Sequence, residues 1–270
     1  MQTLQVHQIE NLPDLMSFVS SSLDSAKPNF LWFRGTARAS FKLLPTLYRH
    51  PGKSGSEDFF ELEEQIMTRF SQQSIPFQTR ELTGDWEPLF YMQHFGVPTR
   101  LLDWTENPLV ALFFALTGAI ADNNPEDAVV WVVNPVMWNK HLMTQMRGDR
   151  IFSPGEEALK GFVPHTPTTP FRKADRNTIP VFMNGTYNSP RIVAQRGGFS
   201  IFGTDVIAME DVFVNNVALP NDCLVKLVIP LACVEALLIS ITSLGITDSV
   251  IYPDMEGLGK ETKRYFGFNK

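Results

Sequence analysis

The sequence is poor in charge, in cysteine and in long uncharged apolar runs. Charged residues make up 19% of its 270 positions against 44% hydrophobic, and acidic residues outnumber basic ones to leave a net charge of −6. That balance excludes broad, charge-driven binding to nucleic acid or to an anionic membrane, while leaving room for a local basic pocket. Two cysteines, Cys223 and Cys233, provide no disulfide framework, and no Cys/His cluster has zinc spacing. A reducing, cytoplasmic setting is therefore expected, with no metal. Both cysteines sit beside apolar residues and read as inert thiols. The longest apolar stretch, PLVALFFALTGAIA, is too short to span a bilayer comfortably and reads as a buried helix. The opening MQTLQVHQIENLPDLMSF lacks a basic segment followed by an apolar one, so no signal peptide is expected. There is no internal repeat, no GxGxxG, no P-loop, no HExxH and no GxSxG.

What is present reads as one large domain over 1–270, of the α+β class: a mixed sheet with helices around it. Strands are expected at 2–8, in NFLWFRG, in the β-branched run AVVWVVN as a central strand, in CLVKLVIP and in SVIYPD. PRIVAQRGGFSIFG reads as strand, glycine turn and strand. Helices are expected at about 12–23 behind Asn11, in SEDFFELEEQIMTRFSQQ, in EPLFYMQHFG ending on Gly96, and in NPLVALFFALTGAIAD behind Asn107 with Pro108 at its first turn. ACVEALLISITSLG and MEGLGKETKRYF read as the last two. KLLPTLYR and PTRLLDWTE read as irregular chain. The region 139–190, whose VPHTPTTPFRKADRNTIP carries four prolines, reads as an irregular insertion, either a lid over a site or a cover for the core.

Three stretches place polar residues directly behind or inside a strongly apolar run: FLWFRG, YMQHFGVPTRLLDWTENPLVALFFA and SVIYPDMEG. Strand ends and helix starts are where sheet proteins usually assemble a site. Arg34 offers a planar fork suited to phosphate or carboxylate; otherwise it pairs with Asp103, Asp254 or Glu256. Gly35 allows backbone or ligand to approach closely. Asp103 would orient Arg100 or Arg34, and Trp104 would either stack on a planar ring or join the core. Thr105 and Asn107 are candidate helix caps at a potential anion site. His94 makes either a structural hydrogen bond or a catalytic contact. Asp254 and Glu256 share a face if the strand continues; if a helix starts at Met255, Asp254 caps it and Glu256 alone is spare. Gln195 would read a ligand amide or bridge backbone groups, and Arg196 with Gly197 and Gly198 would form an anion-holding turn. A metal-dependent hydrolase built on His94, Asp103, Asp254 and Glu256 ranks last, because no pair has ligand spacing on one element.

WFRG, YMQHFGVPTRLLDWTENPLVALFFA, PRIVAQRGGF and YPDMEGL together resemble the FRG domain, named for the motif that stands here as Phe33-Arg34-Gly35. The HFGVPTRLLDWTENPLVALFFA segment is the most specific part, and the four motifs span residues 33 to 258. Their order is also similar to ADP-ribosyltransferases of the arginine-serine-glutamate type. In that resemblance Arg34-Gly35 matches the NAD-holding arginine, Thr105 loosely matches the Ser/Thr motif, and Glu256 or Asp254 matches the catalytic acid. LDWTENP stands where those enzymes carry a Ser-Thr-Ser triplet, and Asp254-Met255-Glu256 where they carry Glu-x-Glu or Gln-x-Glu.

The resemblance implies NAD as substrate, cleavage of the nicotinamide–ribose bond, and transfer of ADP-ribose to an acceptor, protein or nucleic acid, or to water. Glu256, with Asp254 as second choice, would stabilise the cationic ribose. Arg34 would grip phosphate or ribose, Trp104 would stack on nicotinamide and Thr105 would orient it. The rival expectation is a module that senses a nucleotide without chemistry. Either fits an effector or sensor in bacterial defence, as the family resemblance implies.

Overall fold

The structure, a computed structural model, describes residues 2–25, 30–78, 80–143, 150–164, 177–185 and 190–268. Its centre is a mixed sheet. The strands are β1 (Gln5–Gln8), β2 (Trp32–Thr36), β3 (Leu101–Thr105), β4 (Ala128–Val133), β5 (Val181–Asn184), β6 (Gly197–Ile201) and β7 (Leu224–Ile229). Their order across the sheet is β1-β7-β4-β2-β3-β6-β5. β1 runs parallel to β7, and the other pairings are antiparallel. The α+β class expected from the sequence holds.

Pleating sorts the central strands between two cores. On β4, Val130 and Val132 face one side, with Phe33 of β2 and Leu227 of β7. Helices α1 (Leu12–Ser25), α4 (Pro108–Ala121) and α8 (Val234–Ser243) cover that side. On the other side Val129, Trp131 and Val133 pack with Trp32, Leu102 and Trp104, covered by α2 (Ser56–Ser74), α5 (Pro135–Leu142) and α7 (Met209–Asn215). A third cluster joins α3 (Glu87–His94) to β5 and β6 through Phe90, Val181, Met183 and Phe199.

Local chemistry places the helix ends as expected. Asn11 Oδ1 accepts from Asp14 N at 3.0 Å, and Asn107 Oδ1 accepts from Leu109 N at 3.0 Å. Gly96, at φ +72°, closes α3 in the left-handed region that disfavours any other residue.

Four segments depart from expectation. LLDWT is not irregular chain but β3, an inner strand bonded to β2 and β6. Its five residues put Leu102 and Trp104 into one cluster and Leu101 into another, a strand alternation masked in the sequence by the adjacent leucines. RIVAQ is helix, α6 (Pro190–Gln195), and the chain turns into β6 through Arg196 at φ +46°. SVIYPD is not a strand: α9 (Asp248–Ile251) precedes α10 (Met255–Tyr265), and Arg264 Nε donates to Asp248 at 2.8 Å to clamp the two together. The described parts of 139–190 carry core: Phe152, Leu159, Phe162, Phe182 and Met183 are buried, and β5 is a sheet edge. Residues 144–149, 165–176 and 186–189 of that region lie outside the described residues.

Candidate functional site

β2 and β3 pair at one position, Phe33 with Thr105. Beside that short ladder lies a cavity of about 310 Å³, walled by α3, β2, β3, α4, α6 and β6. The size is at the small end of the range of ligand sites, about 300–1,000 Å³. Phe90, Phe114, Ile192 and Phe199 form its apolar surface. Arg34, Gln93, His94, Asp103, Arg191 and Gln195 supply its polar groups.

Arg34 is the central cation. Its Nη1 donates to the main-chain oxygen of Asp103 at 2.6 Å, and lies 4.0 Å from Asp103 Oδ2. Nε and Nη2 have no protein acceptor among the described residues. With 21% of its side chain accessible, Arg34 is held largely out of water, and burial pulls its pKa below the ordinary arginine value, with Asp103 opposing the shift. A guanidinium that keeps its charge while most of its five N–H donors lack a protein acceptor among the described residues is suited to an anion.

Asp103 is set by a relay. Leu101 N donates to Thr99 Oγ1 at 3.0 Å, which leaves the Thr99 hydroxyl to donate to Gln93 Oε1 at 2.5 Å. That contact fixes the Gln93 amide so that Nε2 donates to Asp103 Oδ2 at 2.7 Å. Oδ1 has no partner among the described residues, and 58% of the Asp103 side chain is accessible.

Arg191 projects from α6 over the ring of Tyr252, 4.8 Å from its centroid, and has no carboxylate partner among the described residues. His94 is half-buried; burial, then Arg191, hold its pKa below the ordinary histidine value, with Asp103 and Asp254 opposing. The imidazole is therefore neutral at pH 7. An anion placed beside Arg191 would raise that pKa, so anion affinity should strengthen as the pH falls between about 8 and 5. His94→Gln should flatten the slope in a titration series. The unliganded protein shows the opposite sign: the unfolded imidazole binds protons first, so stability falls as the pH drops below the ordinary value of about 6.5.

Of the residues picked out in the sequence, Arg34, Gly35, His94, Asp103, Trp104, Thr105 and Gln195 border this cavity. For Gly35, Trp104, Thr105 and Gln195 the structure takes the structural alternative of the two that the sequence leaves open. The backbone that approaches Gly35 is that of α4 rather than a ligand: a Cβ there would lie 2.0 Å from Ala111 O. The Trp104 side chain belongs to the core, 2% exposed, with Nε1 donating to Ser200 Oγ at 3.0 Å, so it does not stack on a ligand ring. The Thr105 hydroxyl donates to Gln195 O at 2.5 Å and accepts from Asn107 N at 3.0 Å, which ties α6 to the start of α4. Gln195 Nε2 donates to Ile251 O at 3.2 Å.

Arg100 is elsewhere. It is fully buried, donating to Glu63 Oε1 at 2.8 Å and to the carbonyls of Phe202 and Phe162 at 2.7 and 2.8 Å. Asp254 caps α10, accepting from Gly257 N at 2.8 Å, and Glu256 pairs with Lys260 at 2.7 Å with 76% of its side chain exposed. Neither acid borders the cavity, though Asp254 is close enough to act on His94. Sequence reading missed Gln93 and Arg191. Gln93 follows Met92 inside an apolar helix, where an uncharged amide carries no signal, and the helix that presents Arg191 was itself read as strand.

A larger, more open groove of about 1,260 Å³ lies between α4, α8 and α10. Its one lining cation among the described residues, Arg264, is paired with Asp248, so it lacks the free cation that marks the smaller cavity. Among the described residues no group of His, Cys, Asp and Glu is arranged to hold a metal, and no helix is long and apolar enough to cross a membrane.

The fold is thus an α+β sheet with a cationic, aromatic-walled cavity beside its shortest ladder. Residues 29–124, which supply β2, α3, β3 and α4, match the FRG domain. No curated protein and no solved structure matches it.

Proposed function

We propose that this protein binds a small nucleotide-type anion, NAD foremost, in the cavity around Arg34. The observation that carries the reading is Arg34 itself: a largely buried guanidinium with Nε and Nη2 unused by protein acceptors among the described residues, opposite aromatic walls. Arg191 gives a second cation for a phosphate, and Phe90, Phe114 and Phe199 give flat apolar contact for a ring. A sensor or effector role in bacterial defence follows from the family resemblance and rests on it.

Where the bound NAD is turned over, the reaction is cleavage of the nicotinamide–ribose bond with transfer of ADP-ribose to an acceptor or to water. Positive charge then builds on the ribose, and a nearby carboxylate stabilises it. In the cavity that carboxylate is Asp103; Glu256 is paired and exposed outside it. Incubation with NAD should release nicotinamide, and Asp103→Asn should lower the rate about 100-fold, the scale of removing one well-placed stabilising group. Glu256→Gln should leave the rate near native. Binding without chemistry is the second reading, favoured by the absence of Asp254 and Glu256 from the cavity wall. It predicts heat on titration with NAD and no nicotinamide release from the native protein.

A further inference from the structure

We infer that Asp103 reads a sugar hydroxyl, so that the cavity selects ribose-bearing anions over their deoxyribose and sugar-free counterparts. The inference rests on the proposed reading of the cavity as a site for a nucleotide-type anion. A carboxylate in an anion site is at first sight misplaced, because it repels the ligand that Arg34 and Arg191 attract. Its pairing with Arg34 accounts for only one of its oxygens: Oδ2 lies 4.0 Å from Arg34 Nη1, whose short contact is to the Asp103 main chain, and Oδ1 is left over. Two side chains and a backbone N–H aim this carboxylate. Thr99, committed by Leu101 N, orients Gln93, and Gln93 holds Oδ2 at 2.7 Å.

What remains is Oδ1, an acceptor of fixed direction in a cavity whose other charged groups are donors. A group that meets it favourably must carry donors on the same molecule as the anion. Sugar hydroxyls meet that demand: a carboxylate accepts from one or both members of a vicinal diol, while the phosphate lies with the cations. Deoxyribose withdraws one donor and leaves the charged acceptor unpaired on binding.

The test is a nuclear magnetic resonance titration, which reads weak constants, with ribose 5-phosphate, 2-deoxyribose 5-phosphate and inorganic phosphate. The native protein should prefer ribose 5-phosphate over its deoxy counterpart by about tenfold, the scale of one hydrogen bond to a charged acceptor. Asp103→Asn should bring that ratio to within about twofold while tightening phosphate, because a repelling charge is gone. Gln93→Leu should lower the ratio by loosening the carboxylate, an effect that a purely structural glutamine would not have. Equal binding of the two sugar phosphates by the native protein, with phosphate still competing, overturns the hydroxyl assignment and leaves the cavity reading intact. Failure of all three probes to bind overturns both.

Discussion

Replacing Gly35 by alanine should destabilise the protein by about 3 kcal/mol or more, enough to leave little folded material. A Cβ at that position would stand 2.0 Å from Ala111 O and 2.6 Å from Ala115 N. Both are backbone atoms of one helix, so no rotamer change relieves the clash; α4 must move off β2 as a body. The contact is close because both sides are small, with Ala111 and Ala115 facing Gly35 and Gly118 facing Ala37. Displacing α4 also shifts Phe114, which borders the cavity, so any folded fraction should bind ligand poorly. Denaturant unfolding of the variant checks the first effect, and a native midpoint would show that the sheet and helix are not packed this tightly.

Removing the partner of Arg100 should cost nearly as much or more. Glu63→Ala leaves a fully buried guanidinium with two carbonyls and no counter-charge, a loss of about 3–5 kcal/mol for a broken buried pair. Burial alone would lower the Arg100 pKa; the adjacent carboxylate outweighs it and holds the group above its ordinary value. The Phe60 ring, 4.6 Å away, adds cation–π contact but no charge. Exchanging both members for apolar residues, Glu63→Leu with Arg100→Met, should recover most of the loss, because the desolvation cost of the pair disappears with it. Comparing midpoints of the single and double variants tests this, and a single variant as stable as the native protein would contradict it.

Legibility in the sequence followed periodicity and capping. AVVWVVN could only be an inner strand, and Asn107-Pro108 could only start a helix, so β4 and α4 were readable with their ends. LLDWT was not, because two adjacent leucines and a central exposed acid in five residues leave too short an alternation to count. SVIYPD misled for the opposite reason: Val250 and Ile251 favour strands locally, but Asp248 is buried against Arg264, and that tertiary clamp holds the segment as helix.

The site divides the same way. Arg34 and Asp103 stood out as charges behind apolar runs, and the structure brings them together. Arg100 shared that signature but serves the core, since the sequence does not show that Glu63, 37 residues earlier, points at it. Glu256 stood out through an analogy of motif order, and order along the chain does not fix position in space. Gln93 and Arg191 acquire meaning from partners, Thr99 with Asp103 and Tyr252, that only folding supplies.

Calorimetric titration of NAD into the native protein and into Arg34→Ala tests the central claim most directly. Losing charge-assisted contacts to an anion should weaken binding about 100-fold, with the unfolding midpoint nearly unchanged because Arg34 makes one hydrogen bond to protein. Equal affinity in the two proteins, or no binding to the native one at any accessible concentration, would contradict a nucleotide site built around that guanidinium.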